Sequence, residues 1–321
     1  MSFLLDVRRL RVLAEFAAHG TVAATAQALH LTGPAVSQQL AALERETGLP
    51  LLEKQGRTLR LTGAGQRLVD HAQVVLGNLA AAESDLAALR RGERARVRVA
   101  AFPSAARTLL PGLWPDPGGS ADPDAPLVHL VEHEPDQAER ALARHEVDIA
   151  VTHSYSLLPR PLPPGCERRE LFDEPVYLVL HPDEAADRGL APGAAADLAA
   201  FAGLAWLLPG PDTACHEMAQ RACGAAGFVP RPVAVASDFA VLCALVARRA
   251  GAALVPRLAL PDPGAPGLSV HPLRVPVRRS VHALHRAGTG AHPGTRHVLE
   301  RLAALAPGPG SQAASPGGTT G

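Results

Sequence analysis

The stretch from Gly20 to Glu46, GTVAATAQALHLTGPAVSQQLAALERE, constrains this chain more than any other. It holds two short helical patterns joined by so brief a turn that the helices must cross, which is what a helix-turn-helix requires. Thr21 is placed to cap the first helix, and Val22, Ala26 and Leu29 follow at helical spacing. His30 and Leu31 form the connection. Thr32 is placed to cap the second helix, Pro34 falls in its first turn where a missing N–H costs little, and Val36, Leu40 and Leu43 recur at i, i+4 and i+7. One face of that helix is therefore buried. The opposite face carries Pro34, Ser37, Gln38, Ala41 and Arg45, which are small, hydrogen-bonding or cationic and suit a groove of DNA.

The flanks complete a small domain. Residues 6 to 18 read as a supporting helix with Leu10, Leu13, Phe16 and Ala17 on one stripe, stopped by His19 and Gly20. Past Gly48 and Pro50, residues 51 to 61 read as two short strands around Gln55 and Gly56, with Lys54, Arg57 and Arg60 at and beside the tip. Without the preceding helices such a hairpin would be an ordinary solvated turn; behind them it reads as a wing laid along phosphates. From Thr62 to about Arg90 the pattern becomes one helix. Leu68, Ala72, Val75, Leu79, Ala82, Leu86 and Leu89 alternate spacings of four and three, a heptad seam that pairs with another copy. The competing reading is a core helix of the next domain. At 1.5 Å per residue the segment spans roughly 40 Å.

These residues together resemble the DNA-binding domain of LysR-type transcriptional regulators. The likeness rests on the alanine-rich run Ala24 to Leu29, His30 before the turn, Pro34 to Ser37 opening the recognition helix, and the pair Leu43 and Glu44 closing it. Two departures stand out: Gly33 replaces a residue that is usually polar, and Ala23 and Ala24 replace a usual polar pair, so fewer base or phosphate contacts are expected. The resemblance implies a winged helix-turn-helix over 1–65, with Thr32, Pro34, Ser37, Gln38, Gln39, Lys54, Arg57 and Arg60 as the DNA-binding set. It also implies a dimerising linker helix over 62–91 and an effector domain over 96–306 built as the two α/β lobes of type 2 periplasmic binding proteins.

The rest of the chain fits that organisation. At 321 residues it is long enough for two or three domains, and a composition of 47% apolar and 19% charged residues is that of a globular protein. Beyond a hinge at Gly92 to Ala95, strands at 97–102, 127–132 and 147–153 alternate with helices at 104–110 and 136–145, implying a parallel sheet. A second alternation has strands at 175–181, 204–208, 232–236 and 252–255, with helices at 213–226 and 238–249. Strands at 268–273 and 280–285 and a helix at 293–305 follow. Crossings near 166–171 and 266–271 divide lobe I (96–167 and 270–306) from lobe II (168–269). Gly251, Ala253 and Pro256 match a family motif of glycine, small residue and proline. The tail 307–321, PGPGSQAASPGGTTG, is expected to be disordered.

In such lobes a ligand sits at the carboxyl ends of strands, against helix N-termini. The candidates are Ser104 and Ala105, Thr152 and His153, Pro209 with Asp212 and Thr213, and Asp238 beside Ser237; for each, helix capping is an equal reading, and for Asp238 the stronger one. Cys215 and Cys223 are eight apart on one helix, too far to share a tetrahedral ion, and neither the fourteen histidines nor any Ser-His-Asp, phosphate-loop or dinucleotide pattern indicates catalysis. No metal and no cofactor beyond an unidentified effector are expected. With 31 basic and 31 acidic side chains, binding to DNA must come from local patches. Few, irregularly spaced cysteines and the absence of a long apolar run point to a cytoplasmic protein with free thiols and no membrane partner. The expected partners are double-stranded DNA, a small effector, a second or fourth copy of the chain, and RNA polymerase. The alternative is an α/β binding protein or enzyme whose N-terminal helices contact another protein.

Overall fold

Asp6 starts the first helix, α1 (Val7–His19), by accepting a hydrogen bond from the Arg8 amide at 2.8 Å, and Gly20 ends it in the left-handed conformation. The structure, a computed structural model, describes residues 5–55, 58–91, 94–116, 122, 125–262 and 264–307. Thr21 caps α2 (Val22–Ala28) and Thr32 caps α3 (Gly33–Thr47), each hydroxyl accepting from the amide three residues on. Between them His30 takes a left-handed φ of 54°, and the Leu31 amide returns to the Ala26 carbonyl at 2.8 Å. That is a helix C-terminal lock, and it sets the crossing of α2 and α3.

Leu13, Phe16, Ala26, Val36, Leu40 and Leu43 close on one another as the core of this unit, joined by Leu51. The hairpin β1 (Leu52–Gln55) and β2 (Thr58–Leu61) is antiparallel, with Leu52 opposite Leu61. Glu44 anchors it to the recognition helix, one carboxylate oxygen accepting from the amides of Leu51 and Leu52 at 2.9 and 3.0 Å. A long helix, α4 (Gly63–Arg91), then packs its first turns on α1. It approaches so closely that a Cβ on Gly65 would lie 2.1 Å from the Leu51 carbonyl oxygen, so only glycine fits.

The second unit begins with β3 (Arg96–Ala101), α5 (Pro103–Thr108), β4 (Leu127–Glu132), α6 (Pro135–Ala143) and β5 (Ile149–Tyr155). Both β4 and β5 run parallel to β3, as the alternation implies. Next come β6 (Cys166–Leu180), α7 (Pro182–Asp187), β7 (Ala205–Leu208), α8 (Ala214–Ala225), β8 (Arg231–Val235), α9 (Phe239–Val246) and β9 (Ala253–Pro256). The last elements are β10 (Ser269–Pro272), β11 (Arg278–Arg286) and α10 (Pro293–Leu305). The main sheet has the order β10-β6-β11-β5-β3-β4, with β9 also paired to β6. Strands β7 and β8 form a parallel pair, and Trp206 bridges to Ala252 just before β9.

Two apolar cores define two lobes. One holds Val97, Val99, Ile149, Val151 and Val281 against Val298 and Leu302 of α10; the other holds Leu178, Leu180, Trp206, Met218, Leu242 and Val255. Strand β6 serves both. Leu171 and Phe172 pack on the first core whereas Val176 belongs to the second, so the crossing falls at 173–175, later than 166–171. The return likewise lies between Val277 and Val281 and not at 266–271, which places β10 in lobe II. The cause is β6 itself: its charged first half, CERRELFDE, is paired strand and already part of lobe I.

Gly251 closes lobe II. A Cβ there would stand 2.5 Å from the Ala205 carbonyl oxygen, where the Ala252 amide bonds at 2.9 Å. Among the described residues no helix is long and apolar enough to cross a membrane.

Candidate functional site

Val36, Leu40 and Leu43 hold α3 by its buried face, which leaves Pro34, Ser37, Gln38, Ala41 and Arg45 exposed on the other. A shallow open depression runs beside that face, lined by Gln38, Ala41, Arg45 and Leu49 among others. Gln39 is turned elsewhere. It is half-buried, and its Oε1 accepts a hydrogen bond from Nε of Arg9 on α1 at 3.2 Å, which removes it from the outward set. Thr32 is exposed, but its hydroxyl is spent on the cap. On the hairpin Lys54 and Arg60 are exposed on opposite strands, while Arg57 lies outside the described residues.

The seam of α4 divides in two. Ala72 is fully buried in the core beneath α1 and Leu68 packs against it, so these positions are satisfied within one chain. Further along, Val75, Leu79 and Leu86 are 40%, 43% and 61% exposed, and Ala82 is exposed with them. The Leu89 side chain lies outside the described residues.

A narrow crevice separates the lobes of the second unit. Phe102, Pro103 and Ser104 after β3, Glu134 after β4 and His153 on β5 form one wall; Pro209, Thr213, Cys215, Ser237 and Phe239 form the other. Arg279 of β11 lies at its base, fully buried, with Nε 2.6 Å and a terminal nitrogen 2.5 Å from Oε1 of Glu174. That terminal nitrogen also reaches Ser104 Oγ at 3.3 Å, and the guanidinium lies 4.9 Å from the Phe102 ring centroid. The second Glu174 oxygen accepts from the Leu258 amide at 2.6 Å. The buried cation is thus matched by one buried carboxylate, itself satisfied at both oxygens.

Two polar atoms of the crevice have no partner. His153 is buried, edge-on to Phe102 at 4.6 Å and to Tyr155 at 5.2 Å, and its Nδ1 makes no hydrogen bond. Burial first, and then the Arg279 charge, holds its pKa well below the ordinary value, so the ring is neutral. Oε2 of Glu134 is likewise buried and unpaired. Burial raises the Glu134 pKa, Arg279 opposes that rise, and the neighbouring carboxylates Glu132 and Asp136 add to it. Across the crevice the Tyr155 hydroxyl lies 3.1 Å from Cys215 Sγ, and burial pushes that thiol up to about 11.

Residues 7–66 match the family model described as "Bacterial regulatory helix-turn-helix protein, lysR family", and residues 90–307 match "LysR substrate binding domain". The chain belongs to the LysR family. Its N-terminal unit is the family's helix-turn-helix domain, and its two-lobed C-terminal unit is the family's substrate-binding domain. It is similar to the probable HTH-type transcriptional regulator LrrA of Synechococcus elongatus, 29% identical over 317 residues that cover 94% of this chain and 98% of that one. A shorter match, 27% identical over 205 residues, covers 57% of this chain and 65% of the regulator MetR of Haemophilus influenzae, just under two thirds of the latter. Among solved structures, a full-length OxyR variant of Pseudomonas aeruginosa is 23% identical with a TM-score of 0.56, each chain being 95% covered. The LysR-family regulator CbnR is 22% identical with a TM-score of 0.50, covering 95% of this chain and all of that one. These two likenesses show the fold.

Within this LysR-type regulator the crevice brings together Ser104, His153, Pro209 and Thr213 of the sequence candidates. Others lie apart. Ala105 is buried in the lobe I core, the buried Thr152 side chain does not line the crevice, and Asp212 is exposed beyond the loop. Asp238 caps α9, accepting from the Ala240 amide at 2.8 Å, as the capping alternative anticipates. The residues that sequence reasoning missed are Glu134, Glu174 and Arg279. For Arg279 a signal existed: Val277, Arg279, Val281 and Ala283 share one parity of the strand, which places the arginine on an apolar face. Among the described residues no His, Cys, Asp or Glu cluster suits a metal.

Proposed function

We propose that this regulator reads a roughly palindromic DNA site with α3, lays the Lys54–Arg60 hairpin along phosphates, self-associates through α4 as a homodimer or homotetramer, and answers to a small effector held in the interlobe crevice. The observation that carries the reading is the crevice with its unpaired polar atoms, set in a chain whose other domain presents an outward polar recognition face. Ser37 and Gln38 are the base-reading candidates, Arg45 and the hairpin cations the phosphate-holding ones. The exposed half of the seam, Val75 to Leu86, supports self-association. RNA polymerase is a further partner under this reading, and the cytoplasm its compartment.

The protein acts as a switch and not as a catalyst. Cys215 is held as a neutral thiol and Tyr155 as a neutral phenol by burial, and His153 is neutral for the same reason, so the crevice presents no activated nucleophile. A ligand shifts such a switch by its difference in affinity between two states of the lobes. Calorimetry with candidate metabolites tests the site on the full-length protein and on Ser104→Trp and Ser237→Trp, which fill the crevice from either wall. Ser237 is exposed, so its variant folds even where the buried Ser104 does not tolerate tryptophan. Binding unchanged in both variants places the effector elsewhere.

A further inference from the structure

The charges of the crevice do not sum to a site for an anion. Arg279 already faces Glu174 at 2.5 Å and also acts on Glu134, so its one positive charge is set against two carboxylates. The helix N-termini are also occupied: Thr213 caps α8 by accepting from the His216 amide, and Asp238 caps α9 with a carboxylate. The remaining helix, α5, is only six residues long. What remains unmatched is the acceptor Oε2 of Glu134 and, beside it in the crevice lining, Nδ1 of the neutral His153, which accepts or donates according to its tautomer.

We propose that the crevice takes a small ligand bearing a protonated amine, which donates a hydrogen bond to the Glu134 carboxylate. This rests on the reading of the crevice as the effector site. The crevice as it stands has room for about one water, so such a ligand enters as the lobes part, and the walls then meet its carbon skeleton: Phe102 and Phe239 are apolar and aromatic, and Phe102 already lies against one cation, the Arg279 guanidinium. Glu132 and Asp136 both act on Glu134, although Asp136 is itself paired with Arg160. An ammonium entering there supplies the donor that the buried Oε2 of Glu134 lacks, and a buried acceptor without a donor is costly.

The test uses full-length protein and two matched series: benzylamine, benzyl alcohol and benzoate, then butylamine, butanol and butyrate, titrated by calorimetry. The amine of each series binds more tightly than its alcohol and carboxylate by about tenfold, the worth of one charge-assisted hydrogen bond. Glu134→Gln removes that preference and leaves the alcohol unchanged. In the ligand-free protein the same variant raises the melting temperature, because burial disfavours the charged carboxylate and the amide carries no charge. Preference for the carboxylates, or equal binding of amine and alcohol, overturns the ligand class, and the crevice stands as the site if Ser104→Trp and Ser237→Trp weaken binding. Amine binding unaffected by both tryptophan variants overturns the site and the class together. No amine binding at millimolar concentration, or a lower melting temperature for ligand-free Glu134→Gln, also overturns the proposal.

Discussion

Glu174 satisfies a buried arginine on one oxygen and a backbone amide on the other, so its removal strands two groups at once. Breaking such a pair from one side costs about 3–5 kcal/mol. Glu174→Gln should lower the urea midpoint of the effector domain accordingly, and a midpoint unchanged from wild type would show that water reaches Arg279. His282 carries a pH prediction. It lies opposite Thr152 in the sheet, and burial, then Arg168 and Arg160, hold its pKa at about 4. Because the folded value is depressed, the unfolded chain binds the proton first as pH falls. The contribution of this group is complete above the ordinary value near 6.5 and is lost between there and about 4, with about 3 kcal/mol at stake. His153 acts in the same direction. Denaturant titrations at several pH values should slope in that window for wild type and slope less for His282→Gln. The burial of Arg279 that gives Glu174 its role was legible only through strand parity, because Arg278 and Arg279 are identical in type and adjacent, and parity alone separates the exposed side chain from the buried one.

At the scale of elements, helix caps and periodic apolar stripes read directly, since Thr21, Thr32 and the Val36-Leu40-Leu43 stripe depend on local geometry alone. Strand β6 did not. Its first half alternates charge with partial burial because it crosses between lobes, and a strand sharing two cores shows no single apolar face. The short helix α7, which opens at Pro182, carries too few residues for a period to register. The α4 seam was legible as a stripe but not as two functions: a heptad pattern does not distinguish Ala72, which packs under α1 in the same chain, from Leu79, which is exposed. That division makes a prediction about self-association. Replacing Leu79 and Leu86 together with Glu should shift the mass measured by light scattering toward monomer and leave the melting of the N-terminal unit unchanged, whereas Ala72→Glu should unfold that unit. An unchanged oligomer in the double variant would remove α4 from the interface.

The whole molecule carries no net charge, so its affinity for DNA cannot come from a general field and must be counted contact by contact. Each phosphate neutralised changes the slope of log affinity against log salt by about 0.9. Arg60, exposed on the hairpin, is therefore a counter of copies. If one chain engages the site, Arg60→Ala flattens the slope by about one; if two chains straddle a palindrome, every mutant assembly loses two such contacts and the slope changes by about two. Gln38 belongs to a different class of contact. A glutamine paired to adenine discriminates by about 1–3 kcal/mol without neutralising a phosphate, so Gln38→Ala should relax base preference at its positions and leave the salt slope as it was. Anisotropy titrations of both variants over a salt series, on the operator and on scrambled duplex, separate the two. A change of slope in Gln38→Ala, or base preferences identical to wild type, would move sequence reading off this face of α3 and onto other groups of the domain.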